Sequence, residues 1–72
     1  GDFNMKLSAR NQLKGKIKAL QPGAVNAIVT LLVGENQIVA SITMDSVKTL
    51  DLKIGDEAYA VIKASSVMIA VD

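Results

Sequence analysis

Leu13-Lys14-Gly15-Lys16-Ile17-Lys18-Ala19-Leu20 (LKGKIKAL, residues 13–20) decides the fold class. Apolar or small residues hold positions 13, 15, 17 and 19, and lysines hold 14, 16 and 18. Successive side chains of an extended strand point to opposite faces, so this period of two writes a strand with one wet face. The charge extends upstream: Arg10, Lys14, Lys16 and Lys18 fall between Ser8 and Lys18 with no acid among them. The chain as a whole carries only +1. Between Phe3 and Gly34 there is no carboxylate, and every acid except Asp2 lies at Glu35 or later. One end of the chain is therefore electropositive and attracts anions.

Outward from this strand, the same period recurs. Gln21-Pro22-Gly23 reads as a turn, with proline presetting φ and glycine open to φ > 0. Ala24 to Val33 is a second strand, apolar on both faces in its second half and so central or interfacial. Gly34-Glu35-Asn36 turns the chain into a third strand, Gln37 to Thr43. Thr43 or Asp45 then caps a short helical turn through Leu50, with Val47 and Leu50 three apart on its inner side. After a turn at Ile54-Gly55-Asp56, Glu57 to Lys63 and Val67 to Val71 are the last two strands, separated by Ala64-Ser65-Ser66. The expected fold is all-β: a five-stranded OB-like barrel with one short helical turn between the third and fourth strands. No internal repeat, linker or low-complexity segment interrupts it.

At 72 residues this is one small domain. A core of that size rarely supplies more than ~3–5 kcal/mol alone, and such domains usually need a staple. The chain has no cysteine and no histidine, which excludes disulfides, zinc-finger spacing and thiol redox chemistry. Self-association remains, and a hydrophobic fraction of 50% exceeds what so small a sphere hides easily. No apolar run approaches a membrane span and no signal peptide is visible. A cytoplasmic oligomer is expected. Gly1 to Asn4 read as a cloning remnant ahead of Met5, leaving residues 5–72 as the single domain.

Catalysis is not expected. Without histidine and cysteine, a poised nucleophile or acid–base pair has few sources. Asp56 and Glu57 are adjacent, but neighbours at a strand start point to opposite faces, and they read as a solvated turn. The other carboxylates are scattered, which does not make a hard-metal cage. OB-like barrels often bind single-stranded nucleic acid, which is the alternative function. That mode stacks bases on aromatic side chains, and here the aromatics are Phe3 and Tyr59. A basic strand without such platforms supports weak, salt-sensitive binding at most.

A small oxyanion fits the donors better. Ser8-Ala9-Arg10-Asn11 and Lys63-Ala64-Ser65-Ser66 both combine hydroxyls, amides and a cation, and neither contains a carboxylate. A site built from them would donate and hardly accept, favouring a fully deprotonated anion over hydrogen phosphate. The residues also admit plainer readings. Lys14, Lys16 and Lys18 suit an exposed strand face that blocks edge pairing, Ser65 and Ser66 suit a turn, and Lys63 suits a solvated strand end. A purely structural or protein-interaction module is the third possibility.

Three stretches bear on that choice. MKLSARNQLKGKI (5–17), SITMDSVKTLDLKIGD (41–56) and AVIKASSVMIAV (60–71) together closely resemble the molbindins, small cytoplasmic molybdate- and tungstate-binding proteins of the Mop family. The motifs S-A-R-N-Q-L-K-G, S-I-T-x-x-S-V and I-K-A-S-x-V-M-I stand in family order. The same module also serves as the anion-sensing part of molybdate-responsive regulators and of molybdate transporter ATPases, and here it is expected to stand alone. The resemblance implies an OB-like Mop barrel assembled as a hexamer, a trimer of dimers, with molybdate or tungstate held between subunits. It implies oxyanion ligands at Ser8, Arg10, Lys63 and Ser65, backbone groups from Ala9 and Ala64, and contributions from Thr43 and Ser46. It implies no nucleic-acid, membrane or direct protein–metal bond, and a storage or buffering role.

Overall fold

The computed structural model describes residues 10–72. The elements run β1 (Asn11–Pro22), β2 (Asn26–Val33), β3 (Asn36–Thr43), α1 (Met44–Thr49) and β4 (Glu57–Ile62), followed by a 3-10 turn at Ala64–Ser66. All strand pairs are antiparallel, and the sheet order is β3-β2-β1-β4. The sheet curls around its apolar face, giving an OB-like, mostly β fold with one short helix.

Strand β1 organises it by changing partners along its length. Asn11 to Lys16 pair with β4, and Lys16 to Pro22 pair with β2. At the hand-over the β2 register slips between Ile17 and Ala19, leaving Lys18 as the extra residue of a bulge. A bulge sharpens twist and reverses the inward–outward alternation beyond it. Ile17 therefore points in before the bulge, being 1% exposed, and Leu20 packs against the same core after it. The Ile17 amide donates to the Asp56 carbonyl (2.9 Å) and its carbonyl accepts from the Gly55 amide (2.8 Å), which ties the β4 side to the bend.

The core cluster is Ile17, Val29 and Leu31, with Ile38, Ile42, Leu52, Ala58 and Ala60 packed around it. Strand β2 contributes its odd positions, Ala27, Val29 and Leu31, as the two-residue period requires. Val47 is the residue that α1 buries. Val33 and Asn36 face each other across the two-residue connection Gly34-Glu35, and Gly34 takes φ 60°, open to a residue without Cβ.

Several expected boundaries move, β2 beginning at Asn26 instead of Ala24 and β3 at Asn36 instead of Gln37. Gln21 and Pro22 remain in β1, so the first turn falls at Gly23–Val25, where the Val25 carbonyl accepts from the Met44 amide (2.8 Å). Lys63 lies just past β4. The expected fifth strand, Val67–Val71, is not a strand among the described residues, because a strand exists only by pairing and this segment pairs with none of the four. Among the described residues no helix is long and apolar enough to cross a membrane.

Gly15, at the hand-over, is held by space. A Cβ there would press on the Leu32 carbonyl oxygen and lie 2.9 Å from Val33 Cγ2 and 3.0 Å from Leu31 Cγ. Gly15→Ala is expected to lower stability by ~1–3 kcal/mol, the cost of overpacking a close approach, measured by urea denaturation; an unchanged midpoint would show that β1 does not need this contact.

Candidate functional site

Ser8 and Ala9 lie outside the described residues. Arg10 immediately precedes β1 and is exposed; Lys63 immediately follows β4 and is exposed. The two flank the same last rung of the ladder. In the β1–β4 ladder Asn11 faces Ile62, so the next step outward sets Arg10 opposite Lys63. The Asn11 side-chain amide donates to the Ile62 carbonyl (3.2 Å), fixing that last rung. Asn11, a member of the Ser8–Asn11 donor cluster, thus spends its side-chain amide on the ladder. Its signal was present in its position beside Arg10, but its role follows from the register.

Facing cations on adjacent strands repel one another, and the cost is relieved when an anion sits between them. Carboxylates do not supply that relief. The ion pairs among the described residues are Lys14–Glu57 (3.6 Å) and Lys53–Asp51 (3.5 Å). Ala64 and Ser65 continue directly from Lys63 in the 3-10 turn, and both are exposed. The turn uses the amides of Ser66 (to the Lys63 carbonyl, 2.9 Å) and Val67 (to the Ala64 carbonyl, 3.3 Å). This end of the sheet thus gathers Arg10, Lys63, Ala64 and Ser65, a donor-rich set.

Thr43 and Ser46 sit elsewhere. Thr43 pairs with Asn26, beside the Pro22 end of β1, whereas Arg10 is at the Asn11 end. A strand rises ~3.3 Å per residue, so ~35 Å of chain separates the ends, shortened by the curl. Thr43 is also occupied. It is the N-cap of α1: its Oγ1 accepts from the Ser46 amide (3.0 Å) and donates to Ser46 Oγ (2.9 Å). Ser46 keeps its own hydroxyl proton to give.

The outer lysines form a different environment. Lys14 and Lys16 line a depression of ≈ 380 Å³ with Gly15, Leu32, Gly34 and Glu57. The Glu57 carboxylate pairs with Lys14 and would repel a dianion. They provide field and hydration for the outer strand face. Among the described residues no group of three His, Cys, Asp or Glu side chains could hold a metal ion.

Residues 7–69 match the TOBE domain family. The chain is a TOBE-domain member of the Mop family. It is 51% identical over 69 residues to a "Probable molybdenum-pterin-binding protein" of Haemophilus influenzae, covering 94% of this chain and 100% of that protein. A molybdate-binding protein from Sporomusa ovata superposes with a TM-score of 0.89 at 37% identity, covering 93% of this chain and all of the other. The cytoplasmic molybdate-binding protein ModG, solved with molybdate bound, superposes with a TM-score of 0.78 at 48% identity, over 83% of this chain and 43% of the longer one. These Mop relatives are binding proteins, and the OB-like architecture is common to them.

The Thr43 cap makes a direct test of what that residue does in the free chain. Thr43→Ala should cost ~1 kcal/mol of stability, and Thr43→Ser should restore it, as a cap hydroxyl requires; equal urea midpoints for wild type and Thr43→Ala would contradict the cap.

Proposed function

We propose that this Mop-family chain binds molybdate, or tungstate of the same shape and charge, at sites shared between subunits of a hexamer, and that it stores or buffers the anion in the cytoplasm. The observation that carries this reading is the juxtaposition of Arg10 and Lys63, next to Ala64 and Ser65, with no carboxylate pairing either cation among the described residues. The likeness to molybdate-binding proteins supports the choice of anion.

Sharing between subunits has its own support. In one chain the Arg10–Lys63 pair and the Thr43–Ser46 pair belong to opposite ends of β1, so a site using both draws on more than one copy. Large apolar side chains stand open to solvent, Val25 at 72% and Leu50 at 64% among them. Val39, 64% exposed, is another. Assembly would cover them.

Binding is passive. Micromolar affinity needs about 8 kcal/mol net, and charge-assisted hydrogen bonds contribute ~1.5–3 kcal/mol each, so several donors must converge. Arg10 and Lys63 neutralise the dianion, and the hydroxyls and amides of the Ser8–Ala9 and Ala64–Ser65 segments orient it. Hydrogen phosphate would bring a proton, and this set, with hydroxyl oxygens but no carboxylate, is a poor acceptor for it. An anion gripped by two copies stabilises the assembly by mass action. Single-stranded nucleic acid fits poorly: Tyr59 is the sole aromatic among the described residues, and it is half-buried.

Isothermal titration of molybdate in sulfate buffer tests the reading. Arg10→Ala and Lys63→Ala should each weaken binding by ~10–100-fold, the loss of one charge-assisted bond, while Lys16→Ala should leave it within about twofold, as expected of a field charge outside the site. Equal losses at all three positions would point to a diffuse field and overturn the site.

A further inference from the structure

Lys63 leaves the end of a strand, and three hydrogen bonds bear on where it points. β4 ends at Ile62, and Lys63 follows it with φ −62° and ψ 137°. Among the described residues no side chain caps the 3-10 turn that Lys63 opens. The turn is held from its far side by the Ser66 amide on the Lys63 carbonyl (2.9 Å) and, more loosely, by the Val67 amide on the Ala64 carbonyl (3.3 Å). From its near side it is held by Asn11, whose side-chain amide donates to the Ile62 carbonyl (3.2 Å). The Thr43–Ser46 bonds join residues three apart, whereas this one joins residues 51 apart and crosses from β1 to the last residue of β4.

We propose, resting on the Arg10–Lys63 anion site of the proposed function, that Asn11 is a positioning residue for Lys63. It acts through the Ile62–Lys63 peptide and not as a ligand. A trans peptide is planar, with the carbonyl of one residue and the amide of the next on opposite edges. Holding the Ile62 carbonyl therefore sets the direction of the Lys63 amide and, one bond on, of the Lys63 Cα–Cβ bond. The Lys63 carbonyl is held in turn by Ser66, so both peptides flanking Lys63 are fixed. Its exposed side chain starts from a defined place. A long side chain gives up many rotamers when it grips an anion, and a loose backbone would add to that loss. Anchoring the backbone beforehand leaves only the side chain to be ordered.

Asparagine suits this place. It is half-buried on β1 in register with Ile62, which keeps a short side chain within reach of the carbonyl. Its amide donates without adding charge. A carboxylate at position 11 would turn an acceptor toward the carbonyl and pair with Arg10 or Lys63, and a lysine there would add a third like charge to the strand ends.

Two variants test the proposal in the full chain. Asn11→Ala removes the donor, and Asn11→Leu removes it while keeping a branched side chain of similar shape. Without molybdate, solvent exchange of the Ser66 amide, followed by NMR, should quicken about 3–10-fold in both, the change that loss of one neutral hydrogen bond sets. The Gly55 amide, bonded to the Ile17 carbonyl, should keep its wild-type rate. In molybdate titrations both variants should bind about 3–10-fold more weakly, for the same lost bond. Added to Lys63→Ala, the Asn11→Ala change should cost less than about twofold, while added to Arg10→Ala it should cost its full amount, as coupling through Lys63 alone requires. Wild-type exchange at Ser66 in Asn11→Leu would show that shape suffices and would overturn the proposal. Losses fully additive with Lys63→Ala would overturn it too. A wild-type chain that binds no molybdate would overturn the proposed function instead, and the hold of Asn11 on the turn is then decided by the exchange at Ser66.

Discussion

Strand β1 is hydrogen-bonded to β4 through its first half and to β2 through its second, and that change of partner shapes the molecule. A single flat sheet of this length would leave its apolar face open to water. Passing β1 from one partner to the other, with a bulge at Lys18 and a close approach at Gly15, bends the sheet until Ile17, Val29 and Leu31 meet. The bulge is small in sequence and large in effect, because it reverses which side chains face inward beyond it.

The same hand-over shapes the proposed site. Since β2 takes over only from Lys16, the Asn11 end of β1 projects with β4 alone beside it, and Arg10 and Lys63 ride at its tip. Cations there are exposed to solvent and to neighbouring copies. The lysines farther along, by contrast, share their surface with Glu57. Location relative to a carboxylate, more than the number of positive charges, separates the proposed binding cations from the solvating ones.

Much of this was legible from residue order. The alternation at residues 13–20 identified β1, the Gly34-Glu35 connection identified the second hairpin, and the cap was narrowed to Thr43 or Asp45, of which the structure uses Thr43. Other features depend on partners that local pattern does not name. Lys18 fits a plain alternation equally well, so the bulge could not be read. Val67–Val71 has the composition of a strand, but pairing within the described residues does not follow from composition. Arg10 and Lys63 are 53 positions apart, and only the β1–β4 register makes them neighbours. The motifs resembling the molbindins identified the family correctly, and the TOBE match spans nearly all of the same stretch.

Equilibrium dialysis of the native oligomer against molybdate in excess sulfate bears most directly on the proposed role, with bound molybdenum counted per chain. Sites shared between copies and sized for molybdate should retain it against the smaller sulfate, at a stoichiometry near one anion per chain or above. No molybdenum held above the sulfate background would contradict anion binding and leave the Mop likeness as a matter of fold.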